Sequence, residues 1–243
     1  MDMETMGRNR ERTVGDILII ATGIMFVVSL YTIFHYAPTE AALGFAQKIF
    51  YFHLPSAILG YLGFGICFVA SVVYLIRPSD RADAVARAGA STGVLFCAMV
   101  LISGPLWARK SWGTFWTGEP RLVLTLALFM IFLSYVLVRS YAPDGPLVRK
   151  ISAVLAIFGF ADIPLVRTAV ERWGGNHPQV VTGSGGGISS EMELALTLSF
   201  VAFIMLFTVL FWVRLRAEIL SVELMDVSRQ IRDRELLLED EVR

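Results

Sequence analysis

Two histidines in this chain could work as a pair. His53 lies in KIFYFHLPSA and His177 in ERWGGNHPQVV. A neutral imidazole offers a lone pair to a transition metal. Between them, residues 111–122 read SWGTFWTGEPRL, with Trp112, Phe115 and Trp116 set around Gly113. Glu119, Pro120 and Arg121 close that segment. Flat rings and a pair of imidazoles suit iron held in the plane of a porphyrin. Haem needs axial donors, an apolar wall, and cations or donors for its carboxylates. His53 and His177 are the candidate axial ligands of the iron. Trp112, Phe115 and Trp116 are the candidate wall, since stacked flat rings gain both burial and favourable π geometry. Arg121 and Lys48 are the candidate cations, with Arg109, Lys110 and Arg172 as further ones.

A plainer reading stays open beside this one. Tryptophan is enriched at membrane interfaces without any ligand, and Trp107 is read as such an anchor. Gly113 inside the aromatic cluster fits anchoring less well, because glycine marks a special backbone turn. Two histidines with no nearby cysteine or carboxylate fall short of a closed zinc site. His35, in FHYAP, reads as structural. Cys67 and Cys97 lie in apolar runs and read as buried small hydrophobes. Asp162 is an intramembrane carboxylate, a functional candidate by default. Its place near a helix end also allows hydrogen bonds to interfacial water or to Arg167.

These residues need elements to carry them, and composition indicates which. Charged residues make up 17% of the chain and hydrophobic ones 56%, against about 25% charged in ordinary soluble domains. Mean hydropathy is +0.64. Six apolar runs are each long enough to cross a bilayer. The spacing predicts helices at about 15–36, 54–77, 87–107, 121–139, 150–167 and 191–214. The fold class is therefore all-α: a polytopic bundle of six transmembrane helices over residues 1–214. A helical tail follows over 215–243, where Leu220, Leu224, Val227, Ile231 and Leu238 trace a heptad seam broken at Arg234. The first run is too long for a signal-peptide core and lacks a small-residue cleavage site, so it is read as a helix. Gly183–Gly187 reads as a local turn, with no Lys-Ser/Thr to make a phosphate loop.

Lysine and arginine orient the bundle. The amino terminus, the loops near 77–87 and 139–150, and the tail hold fifteen basic residues; the other three loops hold six. The basic set is assigned to the cytoplasm, with both termini inside. The loops that carry His53, the tryptophan segment and His177 then share the outer, periplasmic side. Net charge is zero, and nothing points to nucleic acid.

QKIFYFHLPSA, SWGTFWTGEPRL and ADIPLVRTAVERWGGNHPQ together resemble the CcmC family of cytochrome c maturation, haem-handling membrane proteins with a tryptophan-rich (WWD) motif. The resemblance covers about residues 15–214. It implies a bacterial inner-membrane protein that presents haem b, its carried ligand, at the periplasmic face to a haem chaperone. It also implies partners in the membrane: an ABC-transporter-like complex and a small single-span subunit. By motif, His53 and His177 match the axial ligands, and Trp112, Trp116 and Arg121 fall on the tryptophan segment. Lys48 stands where a basic residue precedes the first histidine motif. The family pattern W-G-x-W-W-x-W-D-x-R-L is altered here: Phe115 and Gly118 replace tryptophans, and Glu119 takes the place of the aspartate, which makes it a further haem-binding candidate. The expected role is binding and handover of haem, without covalent catalysis. The alternatives are a haem lyase or synthase acting on apocytochrome c, an electron-transfer subunit with haem inside the bundle, and a solute permease without haem.

Overall fold

The computed structural model describes residues 3–178 and 188–241. Gly183–Gly187 lie outside the described residues. Seven α-helices follow in order: α1 Met3–Tyr31, α2 Phe50–Ile76, α3 Asp80–Trp112, α4 Pro120–Tyr141, α5 Pro146–Phe160, α6 Asp162–Trp173 and α7 Ser190–Glu241. A π-helical turn, Thr32–Tyr36, extends α1, and a 3-10 turn, Phe45–Ile49, leads into α2. Among the described residues six helical stretches are long and apolar enough to cross a membrane, with α5 and α6 together making the fifth.

The centre of the bundle is the α2–α3 pair, and small residues allow its close approach. A Cβ on Gly63 would stand 2.7 Å from the Cα of Gly93, and one on Gly89 would stand 2.8 Å from the nitrogen of Cys67. Close backbone approach through small residues is how helices associate where lipid removes the hydrophobic drive between them. α4 lies against α3, α5 and α6, and α7 against α1, α2 and α3. Phe64 stacks on Phe132 at 3.9 Å, joining α2 to α4 in a core with Cys67, Cys97, Leu128 and Tyr135. Both cysteines are free and buried, as their apolar settings predict.

Prolines shape the ends that carry the site. Pro55 cannot donate to the carbonyl of Tyr51, four residues earlier. Ser199 of α7 donates its hydroxyl to that carbonyl instead, so the bare acceptor is satisfied inside the bundle. Pro164 likewise takes a donor from the carbonyl of Phe160. There the fifth span breaks, with α5 ending at Phe160 and α6 starting at Asp162. One continuous helix over 150–167 is thus replaced by two. α7 shows the opposite behaviour: it runs unbroken through residue 214, so the tail continues the sixth membrane helix. The side chain of Leu238, the last residue of the expected seam, lies outside the description.

Candidate functional site

The outer ends of α2 and α3 extend beyond the apolar runs. α2 begins at Phe50, so His53 sits in its first turn. α3 continues through Pro105 to Trp112 and stops where Gly113 takes a left-handed φ of 78°. A glycine in this conformation is the usual helix stop, because a Cβ is disfavoured there. Residues 114–119 then cross to α4, whose first turn opens with Pro120, suited to a position that needs no N–H. The mixture of glycine, proline and tryptophan in SWGTFWTGEPRL is therefore a helix end, a crossing and a helix start.

Beneath this crossing lies a cavity of about 710 Å³, within the ~300–1,000 Å³ usual for ligand pockets. Its upper walls carry His53, His177, Trp107, Trp112, Trp116 and Arg121. Its floor is apolar, reaching Tyr61, Phe64 and Cys97. Arg167 and Glu171 of α6 border it from a third side. The gradient from charged mouth to apolar floor suits a flat amphipathic ligand.

The two imidazoles meet at the mouth. Their ring centres are 6.4 Å apart, with planes inclined at 38°. One metal ion bonded to both at about 2 Å would put the ring centres roughly 6 Å apart. The residues present therefore fit an iron with two histidine ligands. Hydrogen bonding also leaves suitable nitrogens free. His53 Nδ1 lies 2.9 Å from Ser103 Oγ, and that hydroxyl donates to the carbonyl of Met99 at 2.6 Å. With the serine proton committed, His53 Nδ1–H must be the donor, and the Nε2 lone pair is free. His177 Nδ1 lies 3.1 Å from the carbonyl of Pro178 and 3.4 Å from Arg121 Nη1. A carbonyl only accepts, and its contact is the shorter, so Nδ1 carries the proton and Nε2 is again free. Burial, and then the Arg121 guanidinium, hold the His177 imidazole below the ordinary histidine range. It is neutral at pH 7, the form that binds metal. Gly104 makes room: a Cβ there would stand 3.3 Å from His53 Cε1. Among the described residues no three His, Cys, Asp or Glu side chains converge on a metal site, so a protein-only zinc cage has no support.

Residues 6–230 match the family model for heme exporter protein C. The chain is 30% identical to a heme exporter protein C of Bradyrhizobium diazoefficiens over 219 residues, covering 87% of this chain and 83% of that one. It is 27% identical to the heme exporter protein C of Escherichia coli over 206 residues, 85% of this chain and 84% of that one. A ccmC-like mitochondrial protein of cytochrome c biosynthesis from Marchantia polymorpha is also 27% identical, over 84% of this chain and 88% of its own length. The chain belongs to the heme exporter protein C family.

Within this heme exporter protein C fold, five expected placements change. Glu119, a haem-binding candidate, is absent from the cavity lining. Lys48 is only 3% exposed and turns away from the cavity. Its ammonium donates to the carbonyls of Ala37 and Pro38, at 2.7 and 3.1 Å. Phe115 is 54% exposed and is absent from the cavity lining. The Arg109 guanidinium lies over its ring, 5.6 Å from the centroid. Trp107, expected to be an anchor, lines the cavity and packs edge-on against Trp112 at 5.3 Å. The extension of α3 explains this, since it puts both indoles on one helix. Arg167 does not pair with Asp162; it borders the cavity, and Asp162 Oδ2 is buried without a hydrogen-bond partner. His35 stacks on Tyr31 at 5.1 Å, away from the cavity.

Ser103 had no place in the sequence reading, and Arg167 entered it only as a partner for Asp162. A signal for the first existed. Gly104, Ala108 and Trp112 recur every four residues, and Ser103 and Trp107 run beside them. That spacing marks one helix face, and the small residues on it mark where a ligand fits.

Proposed function

We propose that this protein binds haem at the periplasmic mouth of the bundle and hands it to a periplasmic haem chaperone. The observation that carries this reading is the pair of neutral imidazoles, 6.4 Å apart over an indole-walled cavity. The relatives named heme exporter protein C support the same cargo. His53 and His177 would ligate the iron through Nε2. Trp107, Trp112 and Trp116 would flank the macrocycle. Arg121, and Arg167 in place of Lys48, would meet the propionates. Bound haem supplies iron with two exchangeable axial positions. The chain's own residues orient it and keep their imidazoles neutral. Release exchanges one axial histidine for a ligand on the acceptor.

The haem is of the b type: the sequence has no CxxCH motif to attach it covalently, and Cys97, at the cavity floor, is free and buried. The protein works in the bacterial inner membrane, both termini cytoplasmic, beside ABC-transporter-like subunits and a small single-span subunit. The test is the absorption spectrum of detergent-purified protein supplied with haem. The wild type is expected to show low-spin haem. His53→Ala and His177→Ala are each expected to shift it towards high spin, and the double variant to retain little haem. Full retention of low-spin haem by the double variant would remove both histidines from the site.

A further inference from the structure

We infer that Glu119 is a positioning residue for His177: its carboxylate holds the loop that presents the imidazole and does not bind the ligand. The inference rests on the haem reading above and adds a role that motif position does not supply. Glu119 Oε1 accepts a hydrogen bond from the backbone N–H of Asn176 at 3.0 Å. Asn176 directly precedes His177. Glu119 does not line the cavity, whereas Arg121, two residues on, does.

The loop is built to accept this carboxylate. Gly174 and Gly175 have φ of 77° and 143°, conformations that side chains disfavour. A Cβ on Gly175 would stand 2.9 Å from Glu119 Oε2. Only a bare backbone lets the carboxylate approach this closely. Glu119 stands at the start of α4, which Pro120 fixes. A loop between α6 and α7 is thereby registered against a different helix, at the residue beside the ligand. Hydrogen bonds to charged acceptors are the stronger kind.

The experiment uses full-length protein in detergent with supplied haem and compares Glu119→Ala, Glu119→Gln and Gly175→Ala with His177→Ala. Glu119→Ala is expected to weaken haem retention by about ten-fold, the effect of losing one charge-assisted hydrogen bond. Its spectrum is expected to move towards that of His177→Ala, and added free imidazole to restore low spin in both. Glu119→Gln keeps a carbonyl oxygen for the Asn176 N–H and is expected to stay near wild type. Gly175→Ala leaves Glu119 chemically intact but displaces it, and is expected to mimic Glu119→Ala. A wild-type spectrum in Glu119→Ala would overturn the inference. So would haem loss in Glu119→Ala that imidazole cannot restore, because that marks direct ligand contact or misfolding. So would a Glu119→Gln variant as impaired as Glu119→Ala. Failure of the haem reading looks different: no haem in the wild type, or no spectral change in His177→Ala.

Discussion

At the scale of single residues, the site depends on which nitrogen each histidine leaves free. Ser103 settles this for His53, because its own proton is committed to Met99. Ser103→Ala removes the acceptor without changing the fold of α3. Partners that orient a metal ligand are each worth about 10–100-fold in affinity. Haem retention is therefore expected to fall within that range, with the low-spin spectrum intact at saturating haem. Titrating haem into the variant and following the spectrum checks this. His53, His177, Trp112, Trp116 and Arg121 were legible in the sequence because type and motif already placed them. Lys48 was not, because nothing local shows that its length is spent on two carbonyls. Ser103 and Arg167 were not, because what they face depends on helix rotation. Phe115 has the chemistry of a wall, but in the crossing after Gly113 it packs under Arg109, while its neighbour Trp116 reaches the cavity.

At the scale of elements, the α2–α3 seam keeps His53 and Ser103 in register. Gly93 is its tightest point: a Cβ there would stand 2.5 Å from Cδ1 of the buried Phe64. Gly93→Ala must move Phe64 off Phe132 or part the helices. Overpacking of this kind costs about 1–3 kcal/mol. A lower thermal unfolding midpoint is expected, together with weaker haem binding, although residue 93 lies outside the cavity lining. The number of spans was legible from apolar run length alone. The break in the fifth was less so, because Asp162 and Pro164 are also tolerated in continuous membrane helices. The outer extensions of α2 and α3 were hidden because they are no longer uniformly apolar.

At the scale of the molecule, the two faces are built differently. The outer end is open and keeps Arg121 and Arg167 beside the cavity. The other end is tied shut by charge. Arg139 pairs with Asp83 at 2.5 Å and with Asp144 at 3.0 Å. Arg149 grips Asp144 and also reaches Asp80. Arg87 and Arg214 meet on Glu218 of α7, at 2.9 and 2.6 Å. Arg87, Arg139, Arg149 and Arg214, four of the basic residues from which the orientation was read, are thus paired within the fold. Asp144, in the loop between α4 and α5, is held down to about 2, chiefly by its hydrogen bond to Arg149. The unfolded value is about 3.9. Its stabilising contribution is therefore full above about pH 4 and lost as pH falls through about 2. Asp144→Asn is expected to lower the unfolding midpoint at pH 7. The gap to wild type is expected to narrow below pH 4 and close near pH 2, as read by thermal melts across that range.

The cavity floor gives the last consequence. It ends on Phe64, which is stacked against Phe132 with Tyr135 and Cys67 packed in the same core. At the end away from the histidines the cavity is a cul-de-sac. A site of this shape is a berth and not a tunnel: under the orientation proposed above, anything held there arrives and departs through the outer half of the bilayer or the space above it.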